Sequence, residues 1–91
     1  MTDLQTISWI FLATALATNT KPTDISGISS VADGINHAIP TQKELQTSIS
    51  WLTTKGLILK HGKNYELTSK GKLEYELASR NTQTVMKIWE R

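Results

Sequence analysis

From Asp3 to about Thr18 the apolar residues run almost all the way round a helical wheel: Leu4, Ile7, Phe11 and Ala15 share one side, while Trp9, Leu12 and Leu16 lie on another. A helix that is apolar all round is buried on more than one side. Asn19 and Thr20 act as terminators, and Lys21-Pro22 rules out continuation, because proline lacks the backbone donor and restricts the residue before it. After Thr23, the residues Ile25, Ile28, Ala32 and Ile35 follow at spacings of three, four and three, which predicts a second helix with one buried stripe. Asn36-His37-Ala38-Ile39-Pro40 then reads as a tight connector, with Asn36 taking the left-handed conformation at the helix end.

Thr41-Gln42-Lys43-Glu44 is a capping box, in which the Thr41 hydroxyl accepts from the Glu44 amide and the Glu44 carboxylate reaches back to the Thr41 amide. It opens a third helix over about 41–55, with Leu45, Ile49 and Leu52 toward the core and Gly56 as the residue just past its end. Leu57–Lys60 and Tyr65–Thr68 predict two short strands around a four-residue loop, His61-Gly62-Lys63-Asn64. Thr68 or Ser69 caps a fourth helix through about Ser79, with Leu73 and Leu77 at i, i+4 and Tyr75 on a neighbouring face. Thr82 caps a last segment in which Val85, Ile88 and Trp89 supply an apolar stripe of about two turns, too short to be stable without something to pack on.

Length and composition narrow the function. At 91 residues the chain holds one small domain. The absence of cysteine excludes disulfide scaffolds, thiolate metal sites and cysteine nucleophiles together, which fits an intracellular protein. Ile7–Ala17 is too short to span a bilayer and carries Ser8 and Thr14, and the only charge ahead of it is Asp3 rather than a basic region, so no membrane partner and a cytoplasmic location are expected.

A net charge of +2 is too small to name a partner, but it is unevenly divided. Residues 1–40 carry Lys21 against Asp3, Asp24 and Asp33, a net of −2, while residues 41–91 carry nine basic and five acidic groups, a net of +4. In the densest part Lys55, Lys60, Lys63, Lys70 and Lys72 face only Glu66 and surround His61. That is either an electrostatic footprint for a polyanion or an ordinary solvated surface whose lysines guard strand edges.

Chemistry other than binding finds little support. His37 and His61 are far apart and lack further ligands at metal spacing; Glu74 and Glu76 project differently from a helix; no Ser-His-Asp grouping or phosphate-cradling glycine loop is present. No catalytic residue, metal or cofactor is expected, and the chain reads as a non-enzyme.

The stretch from Thr41 to Gly71 carries a threonine cap, an apolar-periodic helix, Lys55-Gly56-Leu57-Ile58, a polar hairpin and Leu67-Thr68-Ser69-Lys70-Gly71. It resembles the recognition helix and wing of winged-helix transcription regulators of the multiple-antibiotic-resistance repressor type, over about a third of the chain. Ala32–Thr41 also looks like a string found in short uncharacterised bacterial proteins of this fold. The resemblance implies a mainly helical α+β fold, a winged helix-turn-helix domain spanning 1–91. It would comprise three helices, a two-stranded β-hairpin wing at about 57–68 and one or two C-terminal helices in 69–91. It further implies that the third helix enters the major groove of double-stranded DNA and that Lys60, His61, Gly62, Lys63 and Asn64 lie near phosphates or the minor groove.

The helical wheel fills in the reading face. Opposite Leu45, Ile49 and Leu52 stand Lys43, Thr47, Ser50 and Thr54, flanked by Gln46 and Trp51. Lys43 suits phosphate or guanine, Gln46 suits adenine, and the hydroxyls suit groove edges or phosphate. The third helix and hairpin contain no arginine, the residue of the commonest guanine contact; Arg80 and Arg91 are the only two in the chain. The same face would equally serve a winged-helix protein-interaction module without DNA affinity, docking a protein partner through Trp51. Trp9, Val85, Ile88 and Trp89 either pack within the chain or build a two-fold homodimer.

Overall fold

The computed structural model describes residues 3–19 and 21–81. Its order is α1 (Asp3–Ala17), α2 (Ile25–Asn36), α3 (Gln42–Thr54), β1 (Ile58–His61), β2 (Asn64–Leu67) and α4 (Ser69–Asn81). It is a mainly helical α+β fold with one two-stranded antiparallel sheet. The expected segment with Val85, Ile88 and Trp89 lies outside the described residues.

The all-round apolar character of α1 has a direct cause in the packing: α1 is the central element, in contact with α2, α3, β2 and α4. Ile7, Trp9, Ile10, Phe11, Leu12, Ala13 and Ala15 are all buried. Trp9 is 2% exposed, and its indole Nε1 donates to the Ala32 carbonyl oxygen at 2.9 Å. Of the two readings open for Trp9, packing within the chain and a dimer face, the structure shows the first, with both its ring and its polar atom used inside one chain. The stripe it shares with Leu12 ends early: Leu16, in the last turn, is 46% exposed.

Asp24 caps α2 by accepting from the Gly27 amide, and Ile28 and Ala32 enter the core with Ile25 and Ile35 at its border. The left-handed residue at its end is His37 (φ 53), not Asn36, because the helix keeps Asn36; the His37 amide donates to the Asp33 carbonyl at 2.7 Å. The capping box of α3 forms as expected, with Thr41 N donating to Glu44 Oε1 at 2.8 Å and Glu44 N to Thr41 Oγ1 at 3.0 Å. The other end closes with the Leu57 amide on the Leu52 carbonyl and the Gly56 amide on the Thr53 carbonyl, both at 3.0 Å, the Schellman pattern with Gly56 at φ 75.

The hairpin is tighter than expected. His61 pairs with Asn64, Lys60 with Tyr65, Leu59 with Glu66 and Ile58 with Leu67, so the turn is the two residues Gly62-Lys63 rather than a four-residue loop. Gly62, at φ 60, occupies the first central position, the place where a type II′ turn requires glycine. One further pairing was not foreseen: Thr23, between α1 and α2, exchanges both backbone hydrogen bonds with Tyr65, at 3.1 and 2.7 Å.

Thr68 joins the base of the hairpin to α4. Its hydroxyl donates to the Gly56 carbonyl at 2.6 Å and accepts from the Gly71 amide at 3.0 Å, so it also caps the helix. The inward face of α4 is that of Tyr75, whose ring meets Phe11 edge-on at 6.4 Å. Leu73 and Leu77 lie nearly opposite on the wheel and are 56% and 43% exposed, so the leucine pair is not the core stripe that its i, i+4 spacing suggests.

Candidate nucleic-acid interface

Burial of Leu45, Ser48, Ile49 and Leu52 fixes which way α3 faces. Lys43, Gln46, Thr47, Ser50 and Thr54 are consequently all exposed. A shallow groove of about 580 Å³ runs along this face, lined by Gln46, Thr47, Ser50, Trp51, Thr54 and Lys55. Lys43 lies outside that lining, one turn nearer the helix start. From Lys43 to Ser50 the stripe extends about 10 Å at 1.5 Å per residue, comparable to the ~12 Å width of a DNA major groove.

Trp51 is half-buried and packs against the core while still forming part of the groove wall. The Lys55 ammonium stands 5.5 Å from its ring centroid, a cation–π placement that holds a positive charge at the far end of the stripe. Lys55 was not among the expected site residues; its i+4 spacing from Trp51 is the signal that finds it. The only carboxylate in α3 is Glu44, and it is turned back to the Thr41 amide.

The five expected wing residues do not act as one cluster. The strand pleat sends alternate residues to opposite faces, so Lys60 shares the side of its partner Tyr65, with its ammonium 5.9 Å from that ring. Lys60, Gly62 and Lys63 together with Asp24, Ser26 and Tyr65 line a hollow of about 300 Å³ beside the start of α2. His61 and Asn64 belong to the other face, with Glu66. There His61 Nε2 lies 3.3 Å from Glu66 Oε1, so an acidic group accompanies the histidine. Lysine charge is therefore concentrated on one side of the hairpin and at its tip.

Among the described residues no three His, Asp or Glu side chains come together as a metal site requires, and no helix is long and apolar enough to cross a membrane. Comparison with protein-family models, curated proteins and solved structures gives no match. The functional reading therefore rests on the site's own geometry.

Proposed function

We propose that this chain is a cytoplasmic winged helix-turn-helix regulator that binds double-stranded DNA, with α3 in the major groove and the hairpin lysines on phosphates. The observation that carries the reading is the outward face of α3: uncharged hydrogen-bonding side chains between Lys43 and Lys55, with the one carboxylate of the helix engaged elsewhere. The fold order supports it too. Thr23, between α1 and α2, pairs with Tyr65 of the hairpin through an isolated bridge, so the order is helix, bridging residue, two helices and a two-stranded hairpin. Lys60 and Lys63 supply the phosphate contacts that such a wing makes. A two-fold homodimer forms part of the proposal, built on the outward leucines of α4, Leu73 and Leu77, and on the following segment with Val85, Ile88 and Trp89.

Titrating a fluorescently labelled mixed-sequence duplex at low ionic strength tests the reading. Saturable binding is expected, with log K falling linearly against log salt. An unchanged anisotropy at every protein concentration removes it.

One observation favours a second reading, a protein-interaction module: Trp51 forms part of the groove wall, and tryptophan anchors are enriched at protein interfaces. Trp51→Ala separates the two. It abolishes a protein complex centred on the groove, whereas a DNA complex keeps its salt slope.

A further inference from the structure

Along the middle of the α3 face, the side chains of Gln46, Thr47 and Ser50 are exposed, and among the described residues none of them is engaged in a hydrogen bond. Other threonines of the chain are spent differently: the hydroxyls of Thr14, Thr18 and Thr53 donate to the carbonyl four residues back. The Gln46 carboxamide thus presents a donor and an acceptor side by side, and Thr47 presents a methyl and an open hydroxyl.

This inventory discriminates between base pairs. In the major groove guanine offers two acceptors and is met best by two donors in a fork, while cytosine offers a donor and is met best by a carboxylate. Neither group stands at the centre of the face. Arginine is missing from α3 and from the hairpin, Lys43 and Lys55 sit at the two ends, and Glu44 is held at the helix start. Adenine offers N7 as acceptor and N6 as donor, the complement of a carboxamide, and thymine offers a methyl group, the complement of the threonine methyl.

Building on the DNA-binding reading, we infer that the α3 face selects A·T base pairs in the major groove, with Gln46 forked on adenine N6 and N7 and the Thr47 methyl against the thymine 5-methyl. Lys43 and Lys55 then flank the reading pair and take phosphates, contributing affinity without selectivity.

Base analogues test this atom by atom. Duplexes of equal length, one A·T-rich and one G·C-rich, compete for the full chain. The A·T-rich duplex is then rebuilt with deoxyuridine for thymidine, which deletes the methyl group, and separately with 7-deazaadenine for adenine, which deletes N7. The A·T-rich duplex is expected to bind roughly tenfold tighter or more, and each replacement to weaken it several-fold. Gln46→Ala should become indifferent to 7-deazaadenine and Thr47→Ser indifferent to deoxyuridine, with the melting temperature of both proteins unchanged. Equal affinity for the two duplexes overturns the inference while leaving DNA binding standing. An A·T preference that survives both analogues also overturns it, by moving the selectivity to groove shape. Failure to bind any duplex removes it together with the DNA-binding reading.

Discussion

The Trp9 indole nitrogen donates to the Ala32 carbonyl oxygen at 2.9 Å, tying α1 to α2 through the interior. Trp9→Phe keeps a ring in the core but removes the donor and part of the volume. A loss of about 1–3 kcal/mol is expected, read as a lower urea midpoint at unchanged slope. The loss relative to wild type should be the same at every protein concentration. A loss that changes with concentration would move Trp9 to a surface between chains.

Gly71 packs so closely on the β1 approach that an added methyl would overlap the Leu57 carbonyl oxygen, a backbone atom fixed by the Thr68 amide. At Gly27 the methyl would meet Thr23 Oγ1, a side-chain atom rather than backbone. Gly71→Ala should therefore cost about 1–3 kcal/mol and Gly27→Ala clearly less. Equal losses in chemical denaturation would contradict the close approach of α4.

Ser8 in α1 and Ser48 in α3 are fully buried, and their hydroxyls have no hydrogen-bond partner among the described residues. Leaving a buried polar group unsatisfied costs about 1–3 kcal/mol. Ser48→Ala and Ser8→Ala should each raise the melting temperature, and a fall in either would reveal a partner for that hydroxyl.

Lys63 stands at the tip of the hairpin, on the side that also carries Lys60. If it meets a phosphate, Lys63→Ala should reduce the slope of log K against log salt by about 0.9. Lys21→Ala, in the linker before α2, should leave the slope unchanged. Equal slopes for wild type and Lys63→Ala would take the wing off the DNA.

Leu73 and Leu77 expose an apolar pair on the outer side of α4. Light scattering at micromolar concentration should report twice the chain mass, falling to one chain mass in Leu73→Gln/Leu77→Gln, with the stability of each folded chain changed by less than about 0.5 kcal/mol. A wild-type protein of single-chain mass at all concentrations rules out the homodimer.

What the sequence made legible was local. The capping box of Thr41 and Glu44, the Gly56 terminator and the outward stripe of α3 depend on neighbours within a few residues, and each is where its spacing predicts. Features decided by distant partners were misread. The i, i+4 leucines of α4 define a stripe without saying which side faces inward, and the contact of Tyr75 with Phe11 decides it. A two-residue turn and a four-residue loop both contain Gly62, and the pairing of His61 with Asn64 decides for the shorter. The pairing of Thr23 with Tyr65 spans forty-two residues of sequence and leaves no periodic trace. The split of Lys60 from His61 follows from the pleat and could have been read once both were placed on one strand.

A single oxygen, the Thr68 hydroxyl, fastens the exit of the hairpin to Gly56 at its entry. The eleven intervening residues are rooted in the core by Leu57, Ile58, Tyr65 and Leu67, and the exposed turn stands beyond them. Adding residues at Gly62-Lys63 would lengthen the arm, and each doubling of a loop costs only about 0.6 kcal/mol in closure entropy. The junction of α3 and α4 would not feel the change. How far Lys63 reaches from the body is thereby left adjustable, independently of the α3 face.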